Sequence, residues 1–246
     1  MSKIYSFFGR MVNTFYGSTG NITLAALMFV LMLKLLMIMV SNKYYKAPKM
    51  AEALNPKIKE LDKKYAKNQE KRAKAVSELL LKNQYPTFGF ILYYAFMMFI
   101  VFSVSMAVNT PMVYITEGAE TAVNFLFVPD ITKFTFRAIQ EIFPDFNAVR
   151  YMAFPVVALV LQFSLDTYMS DNFLVERRWW DYVALGITLI ACIALPAVFA
   201  VIWSAYEATN WIQVLLVNRK GAQVKLEELK LPDDWDDEPK NKKKKK

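Results

Sequence analysis

The sequence predicts an all-α polytopic membrane protein: five transmembrane helices, a cytoplasmic helical hairpin and an amphipathic N-terminal helix at the outer interface. Three observations lead there. Hydrophobic residues make up 55% of the 246 positions and charged ones 21%, against roughly 45–50% and about 25% in an ordinary soluble domain. Long apolar runs recur, each near the about 20 residues that an α-helix needs to cross a bilayer. Lys and Arg gather in alternate connections, as they do on the cytoplasmic side of membrane proteins. His is absent and Cys192 is the one cysteine, which excludes a Cys/His metal cluster, a His-based triad and an internal disulfide. No metal or cofactor is implied. The formal charge of +8 (30 basic, 22 acidic) suits an acidic partner, either lipid headgroups or RNA.

Residues 1–21 lack the continuous apolar core and small-residue cleavage site of a signal peptide. Ile4, Phe7, Phe8, Met11, Val12 and Phe15 instead recur at helical spacing, which predicts an amphipathic helix lying in the outer interface. The first span is 22–41, whose one charge is Lys34. Residues 42–87 carry twelve basic and five acidic residues. There Met50, Leu54, Ile58, Leu61 and Tyr65 mark one helix face and Val76, Leu79 and Leu80 a second, so the segment reads as a cytoplasmic helix pair. Beyond satisfying topology, such a basic arm is suited to docking anionic lipid, RNA or a nascent chain, each basic residue contributing about 1 kcal/mol against an anionic surface.

The second span is 88–108, without a charge, and the third is 151–169, with Asp166. Between them lies an extracytoplasmic loop, 109–150, whose Phe134, Ala138, Ile142 and Phe143 suggest another interfacial helix. A short cytoplasmic loop, 170–181, carries Arg177 and Arg178. Residues 182–217 have Glu207 as their only charge. As one helix they would be about 54 Å long, nearly twice the about 30 Å hydrocarbon core. Pro196, which lacks an amide hydrogen, divides them into a short fourth span, 182–195, and a fifth, 196–217. The short span implies tilt compensation or local bilayer thinning. The tail, 218–246, holds ten basic residues, among them Lys242, Lys243, Lys244, Lys245 and Lys246, after an acidic patch at 233–238. Five spans put the N-terminus and the 109–150 loop outside and every basic connection inside. Four would put the terminal lysines outside.

Polar residues recur at comparable depth in three spans. A charge at a helix centre costs roughly 2.5–3.5 kcal/mol on insertion scales, so Lys34 calls for a wet cavity or a counter-charge, the alternative being that its ammonium snorkels to the interface. Glu207 is the natural candidate partner. Trp203, Glu207, Asn210 and Gln213 share one helix face by 3–4 spacing, and Gln162 is central in the third span. These residues suggest either a shared hydrophilic cavity open to the cytoplasm or structural hydrogen bonding between helices.

The chain resembles the YidC/Oxa family of membrane protein insertases in three stretches. NTFYGSTGNITLAALMFVLMLKLLMIMV (13–40) is similar to the first core span of that family, in which a basic residue, usually Arg, stands at Lys34. Residues 50–108, with NPKIKEL at 55–61 especially close, resemble its helical hairpin and following span. LPAVFAVIWSAYEATNWIQVLLVNRK (195–220) resembles its final span, which starts at a Pro. Neither the lipoprotein cysteine of Gram-positive members nor the large periplasmic domain of Gram-negative members is found in this sequence. Lys keeps the charge of the usual Arg but not its planar fork. Glu207 stands where Asn is more usual.

The resemblance implies insertion without covalent chemistry in a bacterial plasma membrane. A client's polar tail would enter a groove open to cytoplasm and lipid while its apolar segment slides along lipid-facing helices. By this carry-over Lys34, Gln162, Trp203 and Glu207 line the groove. Lys57, Lys59, Lys63, Lys64 and Arg72 of the hairpin recruit nascent membrane proteins. Lys242, Lys243, Lys244, Lys245 and Lys246 meet the ribosome, and the Sec translocon and anionic lipids are further partners. A small-solute transporter or channel using the same groove is the alternative, though no internal repeat of the kind transporters show is present. An intramembrane enzyme lacks a nucleophile–base pair.

Overall fold

The computed structural model describes residues 2–86, 89–108, 125–142, 148–172, 174 and 178–219. Ten helices form among them, and the described strand pairing is confined to two isolated bridges.

Helix α1 (Ser2–Thr19) ends at Gly20, whose φ of 61° lies in the left-handed region that glycine enters without steric cost. The Asn21 side chain then caps α2 (Ile22–Leu36), accepting from the amides of Thr23 at 2.9 Å and Leu24 at 3.1 Å. The reversal lays α1 against α2 and α6 (Gly89–Val108). Its apolar stripe is divided. Phe8, Val12 and Phe15 pack into the core, whereas Ile4, Phe7 and Met11 point outward. Asn21→Ala is expected to cost about 1 kcal/mol, read as a lower midpoint of thermal unfolding in detergent.

The run 22–41, expected as one helix, is broken. Helix α3 (Ile38–Tyr45) meets α2 at Met37 with a bend of 70°. Neither Pro nor Gly stands at the bend. Helix α3 is held instead by α10 (Ala197–Val217): Gln213 bonds both Ser41 and Asn42 at 2.7 Å, and Asn218 donates to the Tyr45 carbonyl at 2.6 Å.

Helices α4 (Ala47–Lys64) and α5 (Gln69–Lys82) pack together. Pro48 lies in the first turn of α4, where its missing amide hydrogen costs nothing. Asn68 caps α5 by accepting from the Lys71 amide at 3.0 Å. Leu54, Leu61, Leu79 and Leu80 are buried in one core with Leu165 and Met169 of α8 (Ala148–Asp171) and Val214 of α10. The pair therefore sits on one end of the bundle. Leu54→Ala is expected to cost about 2–5 kcal/mol and to speed tryptic cleavage within α4 and α5.

At the other end α7 (Thr135–Ile142) packs on α8 and α9 (Arg178–Ala194). Helix α9 starts four residues before the 182 expected for that span. Its 17 residues give a length of about 26 Å. Pro196 caps α10 with extended backbone, φ −55° and ψ 146°. No polar turn marks this break because the preceding connection supplies its hydrogen bonds. The Thr135 amide donates to the Leu195 carbonyl at 3.1 Å. The amides of Ala197 and Val198 donate to the carbonyls of Lys133 and Ile131, both at 2.9 Å.

Thirteen of the twenty-one residues of α10 are buried, making it the centre of the bundle. The surface is inverted relative to a soluble protein: Leu36, Met39, Leu92, Val160, Ile190 and Leu216 are exposed, while Lys34, Gln162, Glu207, Asn210 and Gln213 are buried. Contiguous apolar surface of this kind marks contact with lipid or protein. Among the described helices, Val149–Asp171 alone is long and apolar enough to cross a membrane, and Ile22–Leu36 with Ile38–Tyr45 meets the same requirement as a bent pair. Leu92–Val108 and Trp179–Ala194 are apolar but shorter.

Candidate functional site: a buried polar relay around α10

Lys34 on α2 is 5% exposed and Glu207 on α10 is 2% exposed. They are joined through a third residue. The Lys34 ammonium donates to the Asn210 side-chain oxygen and to the Tyr206 carbonyl at 3.5 Å. It also lies 4.6 Å from the centre of the Tyr206 ring, an attraction between a cation and the negative face of the ring. Asn210 in turn donates its amide to Glu207 Oε2 at 3.0 Å. The expected partnership of Lys34 and Glu207 is therefore a relay. Asn210 can bridge because an amide both accepts and donates.

One turn away, the Trp203 indole donates to Gln162 Oε1 at 3.2 Å, and Gln162 donates to the Tyr94 hydroxyl at 3.2 Å. Tyr94 reaches Thr188 Oγ1 at 2.7 Å. This set ties α10, α8, α6 and α9 together. The Trp203 ring, 5.1 Å from that of Tyr206 and 5.5 Å from that of Tyr94, makes the two sets contiguous. All four groove residues expected from the sequence fall in this region, in two groups: Lys34 with Glu207, and Gln162 with Trp203.

A cavity of about 50 Å³ adjoins the relay, lined by Tyr45, Tyr93, Tyr94, Asp166, Glu207 and Asn210 among others. It exceeds the about 10–15 Å³ that one water needs. Tyr94 and Asp166 also line a much larger crevice, about 690 Å³, whose walls are Met98, Phe99 and Phe102 of α6 and Ile187, Ile190 and Ala191 of α9. A small cavity with Glu207, Asn210 and Asp166 in its lining and an apolar crevice thus have lining residues in common.

Among the basic residues expected to recruit a partner, Lys59 and Lys63 are exposed on α4 and Lys57 is half-buried. The Lys64 ammonium lies 5.7 Å from the Tyr65 ring centre. Arg72 is engaged by Asp62 at 2.6 Å, and that hydrogen bond and charge raise the Arg72 pKa above its ordinary value. Lys242, Lys243, Lys244, Lys245, Lys246 and the acidic patch at 233–238 lie outside the described residues, as do Phe143 and Arg177.

The family model described as 60Kd inner membrane protein matches residues 14–224, most of the chain and every helix of the relay. The chain belongs to this family. It is the YidC/Oxa family of membrane insertases that the three stretches resemble. Two curated relatives, from Streptococcus agalactiae serotypes V and III, are each named Membrane protein insertase YidC 1. Each is 25% identical over 213 residues, covering 85% of this chain and 72% of the relative.

In this YidC/Oxa chain, sequence reasoning missed Tyr206, Tyr94 and Ser41. Tyr206 was within reach, three residues after Trp203 and four before Asn210, on the same face of α10. Tyr94 and Ser41 carry no such signal, because their roles rest on neighbours from other helices.

Proposed function

We propose that this chain is a membrane protein insertase of the bacterial plasma membrane with five spans: α2 with α3, α6, α8, α9 and α10. The N-terminus faces outward and the basic tail inward. A client's polar tail enters beside Lys34, Gln162, Trp203 and Glu207, and its apolar segment leaves through the crevice between α6 and α9. The observation that carries this reading is the shared lining. Polar groups buried inside an apolar-surfaced bundle open, at Tyr94 and Asp166, onto a crevice with apolar walls. Such an arrangement receives the two halves of an amphipathic client separately and shortens the hydrocarbon path of the polar half.

The α4–α5 pair recruits the nascent chain and anionic lipid through Lys57, Lys59, Lys63, Lys64 and Arg72. Lys59, Lys63 and Lys64 are exposed contacts, and Arg72, exposed too, must exchange Asp62 for a client carboxylate. The residues from Lys242 to Lys246 contact ribosomal RNA through counterion release, and the Sec translocon is a partner for larger clients. The chemistry is positional: no bond is made or broken.

The test is insertion of a single-span client with a short uncharged tail into liposomes containing only this chain. Protease protection is scored alongside retention of a trapped small solute. Protection without solute leakage is the expected result. Leakage without protection would identify a solute pathway instead, and protection no better than in empty liposomes would overturn autonomous insertion.

A further inference from the structure

At the end of the bundle opposite α4 and α5, the chain reverses through Phe125, Leu126, Phe127 and Val128. Phe125 and Val128 exchange both backbone hydrogen bonds, at 3.0 and 2.9 Å. In water, two-residue turns of this kind carry Gly, Asn or Asp where φ is positive. Here the position is taken by Leu126, with φ of 52° and 75% of its surface exposed. We propose that this turn is a lipid anchor, with Leu126 and Phe127 seated in the interfacial layer of the phospholipid leaflet on that side of the membrane. That this leaflet is the outer one rests on the orientation given under the proposed function; the contact with lipid does not.

The turn is held so that Leu126 faces outward. Phe125 and Phe127 both lie against Phe154 of α8, with ring centres 6.0 and 5.3 Å away, and the second pair is stacked at 11°. Val128 is buried in the core. A bulky residue in the left-handed region is uncommon, and such outliers persist where their surroundings over-determine them. Two ring contacts and two backbone bonds do so here. The surface beside the turn is apolar as well. Phe154 belongs to Val149–Asp171, the described helix long and apolar enough to cross a membrane. On that helix Val149, Val156, Val160 and Phe163 are exposed and share one face by helical spacing. Val149 lies five residues before Phe154, about 8 Å along the axis, so exposed apolar surface continues past the level of the turn. The middle peptide groups of a two-residue turn make no bond within it, which suits the hydrated interfacial layer rather than the hydrocarbon interior. On α7, at the same end, Phe136 is exposed beside exposed Arg137, the pairing of apolar and basic residues that interfacial segments use. Anchors of this kind set the tilt of a span, so the turn fixes the level at which α8 presents Gln162.

The experiment uses the full chain, with Cys192→Ala, in vesicles of phosphatidylcholine and phosphatidylglycerol. A fluorophore is attached at Leu126→Cys or, in a separate sample, at Lys67→Cys, which is exposed at the tip of the α4–α5 pair. Quenching is measured with iodide on both sides of the membrane and with lipids that carry a nitroxide near the headgroup. At Leu126→Cys, iodide quenching is expected to be at least about fivefold weaker than at Lys67→Cys, as for a side chain sunk below the headgroups, and the nitroxide lipids are expected to quench strongly. Equal iodide quenching at the two positions would overturn the proposal, because the turn would then stand in water. Protection from iodide without quenching by the nitroxide lipids would overturn it too, because protein rather than lipid would cover the turn. Phe127→Cys gives the same reading should Leu126→Cys fail to fold. No client enters the measurement, so its outcome and that of the insertion assay are independent.

Discussion

Lys34→Ala is expected to destabilise the protein by about 3–5 kcal/mol, the range for removing one partner of a buried charged set. The loss has a definite geometry. Without the ammonium, the Asn210 side-chain oxygen has lost its donor and the relay that reaches Glu207 through Asn210 has lost its cation. Lys34→Met combined with Glu207→Gln removes both charges and should recover most of the stability, since replacing a whole buried pair by groups of similar volume is often neutral. Thermal unfolding in detergent measures both variants. A cycle of Lys34→Ala and Asn210→Ala tests the bridge directly. Coupling of about 0.5–3 kcal/mol is expected for residues in one network, and additive effects would show that Asn210 does not transmit the interaction. Insertion by the charge-free double variant then separates architecture from function. If it folds and still inserts clients, the two charges serve the architecture and the apolar crevice supplies the passage.

Trp203→Ala should cost about 3–5 kcal/mol, as expected for deleting a large buried aromatic side chain. Trp203 is fully buried and touches rings of its own helix, at 5.1 Å from Tyr206 and 5.9 Å from Phe199, and of α6, at 5.5 Å from Tyr94. Trp203→Phe keeps most of this contact but removes the indole donor, leaving Gln162 Oε1 without it. An unsatisfied buried acceptor costs about 1–3 kcal/mol. Adding Gln162→Leu removes the acceptor too, so the double variant is expected to unfold at a higher temperature than Trp203→Phe alone. A double variant less stable than the single one would show that Gln162 contributes mainly through Tyr94.

Periodicity alone makes α1, the α4–α5 pair and the polar face of α10 legible. The faces of Leu54 and Leu61 and of Leu79 and Leu80 are core faces, because a helix buries what recurs every three or four residues. Trp203, Glu207, Asn210 and Gln213 are buried together for the same reason. The division of α1 was not legible. Ile4, Phe7 and Met11 are as apolar as Phe8, Val12 and Phe15, and only the position of α2 and α6 distinguishes an inward from an outward residue.

Composition and local pattern by themselves determined that this chain is helical, that its apolar residues must meet something other than water, and that Lys34 and Glu207 need compensation inside it. These follow from terms local to one helix: hydrogen bonding of its own backbone, the period of its side chains and the cost of burying a charge. Tertiary structure decided the 70° bend at Met37, which depends on Gln213 and Asn218 reaching α3 from α10. It decided the break at Pro196, whose backbone groups find partners at Ile131, Lys133 and Thr135. It decided, too, that Asn210 stands between the two charges. Each of these is a hydrogen bond between residues roughly sixty to one hundred and eighty positions apart, and its directionality is fixed only when both helices are in place.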